Sequence, residues 1–415
     1  MNINVLKNSL WMMSEKIISI FGLIFVTSFV AKYVGPTIFG EIALSLSIFQ
    51  IVQIVAQMGS DVIIFKRISK NTRSGINLIK ATIPLRISIY IILSLPVVSY
   101  FFIKGEGGMV FIFASFIACF FQSLDVYAIY YDASLKSMVN TFVNVLGLSI
   151  SLSLRWFIAF FSLNIYWLSI PIILTSLIPF LIRYIYFNKT HVHSPIDSKT
   201  RKKYSFYLIG SGGAFVISSI SVAIYTRMSL FMLGVLDGKS SVGIFSVAAT
   251  LAGAWSFILY SFITSSLPSI FSEKDDYIAE RKTSNLNLIV ISISIAVITV
   301  VAIISKWFLI YFYGDAYIGA YVPLIILCFA TLSSALGTIA ARYIAKYSGF
   351  SFLSKKMLIV AICSLILNYL FILKWSIEGA AIATLITEVL SFSIFNYFFR
   401  DKLVLRMHFR MFKFK

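Results

Sequence analysis

Residues 8–67 read NSLWMMSEKIISIFGLIFVTSFVAKYVGPTIFGEIALSLSIFQIVQIVAQMGSDVIIFKR. Two long apolar runs in this stretch are separated only by the short turn at Gly35 and Pro36. A run of about 20 apolar residues is long enough for a helix to cross the hydrocarbon core of a bilayer. The stretch therefore predicts two transmembrane helices joined by a tight turn, and the rest of the chain repeats this pattern.

The composition is that of a helical membrane protein. Of the 415 residues, 59% are hydrophobic and 12% are charged, whereas a soluble domain has about 25% charged residues. The apolar runs are continuous, which favours helices over the alternating strands of a β-barrel. The first run is too long for a signal-peptide core and lacks a small-residue cleavage site, so we expect it to be retained.

The apolar runs predict an all-α integral membrane protein with about twelve transmembrane helices. Lys and Arg are concentrated in every second gap between the runs and in the tail, and such an excess marks the cytoplasmic side. Both termini are therefore predicted to be cytoplasmic, and the net charge of +19 indicates topology rather than nucleic-acid binding. The predicted spans are about 10–31, 40–64, 79–103, 109–131, 139–162, 165–187, 205–235, 242–268, 285–312, 318–341, 356–375 and 378–399.

The longest polar gap, NKTHVHSPIDSKTRKK at positions 188–203, lies near the middle of the chain. It divides the predicted spans into two sets of six. We therefore predict an N-terminal lobe at 1–190, a cytoplasmic linker at 191–203, a C-terminal lobe at 204–400 and a basic cytoplasmic tail at 401–415.

The two predicted lobes share a turn motif. Gly35 and Gly40 follow the first span, and Gly238 and Gly243 follow the seventh with the same spacing. Six spans per lobe give both lobes the same orientation in the membrane. The pattern therefore predicts two six-helix lobes related by a parallel repeat.

Charged residues inside the predicted spans are the candidates for function, because lipid penalises each buried charge by a few kcal/mol. Neighbouring Glu15 and Lys16 point about 100° apart on a helix, so they cannot simply neutralise each other. We expect four cations to line a wet, substrate-binding cavity: Arg86, Arg155, Arg227 and Lys16. We expect three acids to form ion pairs or bind a coupling ion: Glu15, Asp125 and Glu388.

Two alternatives stay open for these charges. They could pair with one another as internal salt bridges, or the long side chains could reach towards the membrane surface. The second alternative applies most to Arg155 and Arg227, which lie towards the outer ends of their spans. No metal-binding or disulfide spacing is present among the cysteines, which lie inside apolar runs.

The sequence contains no nucleophile elbow, phosphate-binding loop or zinc-protease motif. We therefore expect a protein that is not an enzyme and that has no cofactor. Without a site for ATP, transport energy would come from the membrane potential, the substrate gradient or a coupling ion. The sequence leaves open whether such an ion is H+ or Na+.

The opening stretch resembles that of the bacterial polysaccharide (O-antigen) flippases of the multidrug/oligosaccharidyl-lipid/polysaccharide exporter superfamily. The shared pattern consists of Asn8, Trp11, Glu15, Gly35, Pro36, Phe39 and Gly40. Further positions that are similar to the family are Tyr225, Thr226, Arg227, Met232, Leu233, Gly234, Val242, Gly243, Phe245, Ala248 and the segment GAAIAT at 379–384. Ser229 stands where the family usually has an acidic residue.

The resemblance implies a flippase for an undecaprenyl-diphosphate-linked oligosaccharide, such as an O-antigen or capsule repeat unit, in the bacterial inner membrane. Alternating access of the two lobes would move the substrate from the cytoplasmic to the outer leaflet. Family members present a cationic cavity to the diphosphate, and this agrees with the cations inside the spans. A polysaccharide polymerase and a chain-length regulator would be partners, and nucleic acid would not.

Three alternatives come from other classes. A drug or cation antiporter of the same superfold would need an acidic cavity, whereas Arg is prominent inside these spans. A flippase for a peptidoglycan precursor would have the same architecture. A polysaccharide polymerase would have a large outer loop, and every predicted outer gap here is short.

The topology can be tested with reporter fusions. Fusions placed after Lys203 and after Lys415 are both expected to give a cytoplasmic signal, because basic residues cluster at these positions. An external signal from either fusion would contradict both the predicted topology and the parallel repeat.

Overall fold

The computed structural model describes residues 3–105, 108–190 and 198–411, and these residues are helical almost throughout. No β-strand occurs in these three ranges. The helices are α1 (Ile3–Gln57), α2 (Ser60–Lys70), α3 (Thr72–Lys104), α4 (Met109–Leu124), α5 (Tyr127–Ala133), α6 (Ser137–Phe160), α7 (Ser169–Thr190), α8 (Ser198–Leu236), α9 (Lys239–Ala254), α10 (Ser256–Phe271), α11 (Asp276–Phe308), α12 (Tyr321–Lys346), α13 (Phe350–Phe392), α14 (Ile394–Tyr397) and α15 (Leu403–Arg410).

Among the described residues, nine helical runs are long and apolar enough to cross a membrane. Two of them, Ser14–Gln57 with 44 residues and Phe350–Tyr397 with 48, are about twice as long as one crossing requires. Each is interrupted by non-helical backbone at a predicted turn, near Gly35 in the first and near Ser376 in the second. The prediction of a multi-pass helical membrane protein is confirmed, and the count of twelve spans stays a prediction.

The contacts divide the chain into two compact units, Met1–Ala223 and Ile224–Lys415. The division falls inside α8, beyond the predicted linker at 191–203. Residues 191–197 of that linker lie outside the described part of the chain, and residues 198–203 form the beginning of α8. The predicted lobe boundaries therefore stay predictions.

The first unit is built on apolar packing between helices that are distant in the chain. Val34 of α1 and Ile172 of α7 belong to one buried cluster with residues of α4 and α6. Phe49 of α1 and Tyr90 of α3 are wholly buried in another. Because apolar residues also face lipid, this packing fixes which sides of the helices turn inward, and it thereby places the polar residues described below.

The predicted basic tail at 401–415 contains a folded helix, α15. Val404 and Met407 on this helix are fully buried. The hydroxyl of Ser284 in α11 donates a hydrogen bond of 2.7 Å to the carbonyl of Met407. Arg410 lies 3.0 Å from the carboxylate of Glu280, also in α11. The helix is therefore docked on α11 by apolar burial, a hydrogen bond from a side-chain hydroxyl to its backbone, and an ion pair.

His408 is buried on the docked side of α15, 3.1 Å from the hydroxyl of Tyr397. Burial disfavours the imidazolium form and lowers the pKa of His408 to about 4. At neutral pH this side chain is therefore uncharged, and the positive charge of the helix comes from Arg406 and Arg410.

Gly35 and Gly238 adopt the same unusual backbone conformation, with φ/ψ of 75°/169° and 104°/176°. This region is essentially restricted to glycine, because a Cβ atom would clash with the residue's own backbone. A Cβ atom built at either position would meet no other atom within 4 Å. The requirement for glycine is therefore conformational; it applies to the two glycines that the predicted repeat matches and also to Gly314, at 90°/165°.

Replacement of these glycines is expected to destabilise the protein. Gly35→Ala and Gly238→Ala should each lower the thermal unfolding midpoint in detergent, because the strained backbone costs roughly 1–3 kcal/mol per residue. Gly253→Ala is the matched control, since Gly253 lies in α9 and an added Cβ meets nothing within 4 Å. A midpoint of Gly35→Ala equal to that of Gly253→Ala would contradict the conformational requirement.

Candidate functional site

The first ion pair of the first unit joins the buried Arg86 to Asp61, whose side chain is 43% exposed. Arg86 in α3 is 1% exposed, and its guanidinium donates to the Asp61 carboxylate. It also donates to the hydroxyl of Ser60 at 2.6 Å and to the backbone carbonyl of Ser123 at 2.7 Å. One side chain thus connects α2, α3 and the end of α4.

Helix ends create the acceptors for Arg86. A left-handed turn at Met58 and Gly59 separates α1 from α2, which places Asp61 in the first turn of α2, where the helix dipole favours a carboxylate. Helix α4 ends at Leu124, so the carbonyl of Ser123 lacks an intrahelical partner. The guanidinium supplies that partner.

The second ion pair, which is largely buried on both sides, joins Arg183 of α7 to Asp125. Arg183 is 3% exposed, and its guanidinium donates to Asp125 and to the side-chain oxygen of Asn144 in α6. Asn144 in turn donates a hydrogen bond of 2.9 Å to Glu15 in α1. A polar chain therefore runs from the break between α4 and α5, where Asp125 lies, through α7 and α6 to α1.

The two ion pairs are electrostatically coupled, because Asp125 also interacts with Arg86. Two guanidinium groups face carboxylates from different helices, and the side-chain Nε atoms of both arginines are buried without a hydrogen-bond partner among the described residues. Removing one partner of a buried pair leaves an uncompensated charge and costs about 3–5 kcal/mol. We name these residues the paired cluster: Glu15, Ser60, Asp61, Arg86, Ser123, Asp125, Asn144 and Arg183.

The side chains of the other three cations predicted to line the cavity are at least partly exposed. Lys16 is exposed on α1, and Arg155 on α6 and Arg227 on α8 are partly exposed. The Nε atom of Arg155 is buried and has no hydrogen-bond partner in the described part of the chain. All three side chains therefore keep surface that the described protein residues do not cover, whereas the Arg86 side chain is covered by its partners.

Glu388 of α13 belongs to a second polar cluster, which lies in the second unit. The hydroxyls of Tyr225 in α8 and Ser334 in α12 hydrogen-bond its carboxyl group. One turn earlier on α13, the hydroxyl of Thr384 lies 2.9 Å from that of Ser229 in α8. The position where the family usually has an acid therefore contacts the GAAIAT segment through a neutral hydrogen bond.

Lys356 completes this second cluster. It is 3% exposed, and its ammonium group donates to the carbonyl of Ser391 at 3.2 Å and to the side-chain oxygen of Asn396 at 3.1 Å. It also interacts electrostatically with Glu388. Lys356 thus ties the beginning of α13 to its end, mainly through neutral oxygen atoms.

The sequence interpretation missed Asp61, Arg183 and Lys356. Two of them carried a usable signal: Arg183 lies four residues after Pro179 on one face of α7, and Lys356 shares the buried face of α13 with Val360 and Ser364. Lys356 is the first residue of the predicted span 356–375, where a lysine normally indicates topology. Within residues 3–105, 108–190 and 198–411, no group of three or more His, Cys, Asp or Glu residues could hold a metal ion.

The fold is that of the MOP-superfamily transporters. It is similar to "Lipid II flippase MurJ, inward closed conformation", with a TM-score of 0.68 and 18% identity over 98% of this chain and 91% of that chain. It is similar to an inward-facing multidrug resistance MATE family transporter, with a TM-score of 0.65 and 14% identity over 96% and 95% of the two chains.

A third similar structure is a MOP-superfamily transporter from Pyrococcus furiosus, with a TM-score of 0.59 and 12% identity over 98% of this chain and 95% of that chain. No curated protein matches the chain in sequence. The sequence model of a protein family described as "Polysaccharide biosynthesis protein" matches residues 5–274. The chain belongs to this family of polysaccharide biosynthesis proteins, as the resemblance of its opening stretch predicts.

The Arg183–Asp125 pair can be tested with charge-neutralising variants. Arg183→Met is expected to reduce the amount of folded protein sharply, because Asp125 loses its buried counter-ion at a cost of about 3–5 kcal/mol. The double variant Asp125→Asn with Arg183→Gln removes both charges and should recover most of the protein. Size-exclusion chromatography of detergent extracts measures the folded fraction.

Arg73→Gln is the control for this experiment, because Arg73 is exposed in the first turn of α3. It should leave the folded amount unchanged. Wild-type amounts of Arg183→Met, or a double variant as poorly folded as the single one, would show that the pair does not stabilise the first unit.

Proposed function

We propose that this protein is a flippase that moves an undecaprenyl-diphosphate-linked oligosaccharide from the cytoplasmic to the outer leaflet of a bacterial inner membrane. The observation that carries the proposal is the family match over residues 5–274 together with a fold similar to a lipid II flippase over 98% of the chain. Transport would proceed by alternating access, without catalysis and without a cofactor.

Recognition of the substrate would rest on positive charge. A diphosphate is bound well by guanidinium groups, which offer several N–H donors in a planar fork. Lys16, Arg155 and Arg227 keep exposed surface, and we assign them to the substrate diphosphate. The buried Arg86 instead holds three helices together, so its effect on transport would be indirect.

The acids have a different proposed role. Glu15 accepts a hydrogen bond from Asn144, and Glu388 accepts hydrogen bonds from two hydroxyls. Both positions suit a group that binds H+ or helps to bind Na+ and thereby couples an ion gradient to transport.

The proposed setting includes cytoplasmic termini and partnership with a polysaccharide polymerase and a chain-length regulator, in the biosynthesis of O-antigen or another surface polysaccharide.

A second candidate is a flippase for a peptidoglycan precursor, because one similar structure is a lipid II flippase. Both candidates transport a lipid diphosphate, and they differ in the sugar. Expression in a strain depleted of its lipid II flippase distinguishes them. Restored growth of that strain, without restored surface polysaccharide in a polysaccharide-flippase mutant, would assign the chain to the second candidate.

The cation assignment predicts a separation of activity from folding. Arg155→Gln, Arg227→Gln and Lys16→Gln should lower surface polysaccharide at least tenfold in a strain without its own flippase, because each removes about 1.4 kcal/mol or more of charge-assisted binding. Their membrane abundance should stay near that of the wild type. Arg155→Lys should retain part of the activity, since it keeps the charge and loses the planar fork.

Two controls accompany these variants. Lys70→Gln removes an exposed cation at the end of α2 and should leave export unchanged. Arg86→Ala should lower export and membrane abundance together. Full export by all three glutamine variants at normal abundance would exclude the cation assignment, and no export by the wild type would exclude the proposed substrate class.

A further inference from the structure

The segment Phe398–Arg410 has a surface that is both aromatic and basic. Phe398 is 78% exposed and Phe409 is 61% exposed, although both are large apolar side chains. The exposed cations of the same segment are Arg400, Lys402 and Arg406. This combination is unusual for a surface in contact with water alone, and it is typical of surfaces that lie in a membrane interface.

The outward face of α15 follows from its buried face. Val404, Met407 and His408 are buried, so they define the side that packs on the protein. With about 100° of rotation per residue, Arg406 and Phe409 lie on the opposite side and next to each other. The helix therefore presents one cation and one aromatic ring together to its surroundings.

Contacts with α11 hold this face in a fixed orientation. The carbonyl of Met407 accepts a hydrogen bond of 2.7 Å from Ser284. The side chain of Arg410 lies 3.0 Å from Glu280, and its guanidinium stacks 4.0 Å above the ring of Tyr277. Arg410 is thus engaged by the protein itself. Arg400 lies 5.5 Å from the centre of the Phe399 ring but is exposed, as Lys402 and Arg406 are.

A strained turn precedes α15. Arg400, Asp401 and Lys402 are three consecutive non-glycine residues with positive φ, at 27°, 47° and 59°. Such backbone persists only where surrounding contacts determine it. Here the turn leads directly into the docked helix, so it sets Arg400 and Lys402 at a defined place beside α15.

The segment begins where an apolar run ends. The apolar run Phe350–Tyr397 is a candidate membrane span, and Phe398 is the next residue in the chain. Since a residue advances the chain by at most about 3.6 Å, the turn at Arg400 and Lys402 lies near the end of this candidate span, where lipid headgroups would lie. His408 is neutral at pH 7 and adds nothing to the attraction of an anion.

We propose that Phe398–Arg410 is a docking surface for anionic phospholipid headgroups in the leaflet at which α13 ends. Arg400, Lys402 and Arg406 bind the lipid phosphates, and Phe398 and Phe409 lie among the headgroups beside them. Under the topology proposed above this is the cytoplasmic leaflet. The surface is separate from the residues assigned to the transported substrate, so the two proposals stand independently.

The test measures lipid retention by the full chain. The protein is purified with mixed phosphatidylglycerol and phosphatidylcholine, and bound lipids are counted by native mass spectrometry. The wild type is expected to retain phosphatidylglycerol preferentially. Each of Arg400→Gln, Lys402→Gln and Arg406→Gln should weaken that preference about fivefold, and Phe409→Ser should weaken it while leaving the charge intact.

Lys274→Gln serves as the matched control, because Lys274 is an equally exposed cation in the loop between α10 and α11. It should retain phosphatidylglycerol as the wild type does. A variant that combines Arg400→Gln, Lys402→Gln and Arg406→Gln would overturn the proposal if it retained phosphatidylglycerol as the wild type does. A loss of retention in Lys274→Gln as large as in these variants would also overturn it. Displacement of the lipid by inorganic phosphate or by a soluble polyglutamate peptide at similar concentration would also overturn it, since either result excludes a headgroup-specific surface.

Discussion

A charge inside a bilayer must be matched by an opposite charge or by hydrogen bonds, and the helices of the first unit are arranged to meet this requirement. The turn before α2 and the break after α4 bring Asp61 and Asp125 towards Arg86 and Arg183. The same breaks leave a backbone carbonyl for Arg86 to satisfy. The helix breaks and the buried charges therefore satisfy each other, since an unpaired backbone carbonyl or an unpaired charge alone would be costly in lipid.

The second unit meets the same requirement differently. The ammonium group of Lys356 is held by a backbone carbonyl and an amide oxygen, and Glu388 is held by two hydroxyls. Among these charged groups, carboxylates pair directly with Arg86 and Arg183, whereas neutral oxygen atoms hold Lys356. A carboxyl group held by hydroxyls can bind or release a cation with less rearrangement than one bound to a guanidinium, and this is the basis of the ion-coupling role proposed for Glu388.

The sequence predicts the helical membrane class, the turns at Gly35 and Gly238, and most charged residues of both clusters. It does not predict which charges pair, because pairing depends on how each helix is rotated. In a membrane protein the lipid-facing and the core-facing sides are both apolar, so hydrophobic periodicity does not fix that rotation. Arg183 was missed for this reason. Lys356 was missed because a lysine near the end of a span normally indicates topology, and the tail was not predicted to form the docked helix α15.

The shared backbone conformation of Gly35 and Gly238 limits which substitutions the turns of this chain tolerate. Side chains at positions that the predicted repeat matches differ: Glu15 corresponds to Ser218 when the two glycines are superposed in sequence. A torsion angle that essentially only glycine tolerates admits no such variation, because every side chain meets the same steric barrier. Gly314 adopts the same conformation at a third turn, so three short turns carry a constraint that the surrounding apolar sequence does not share.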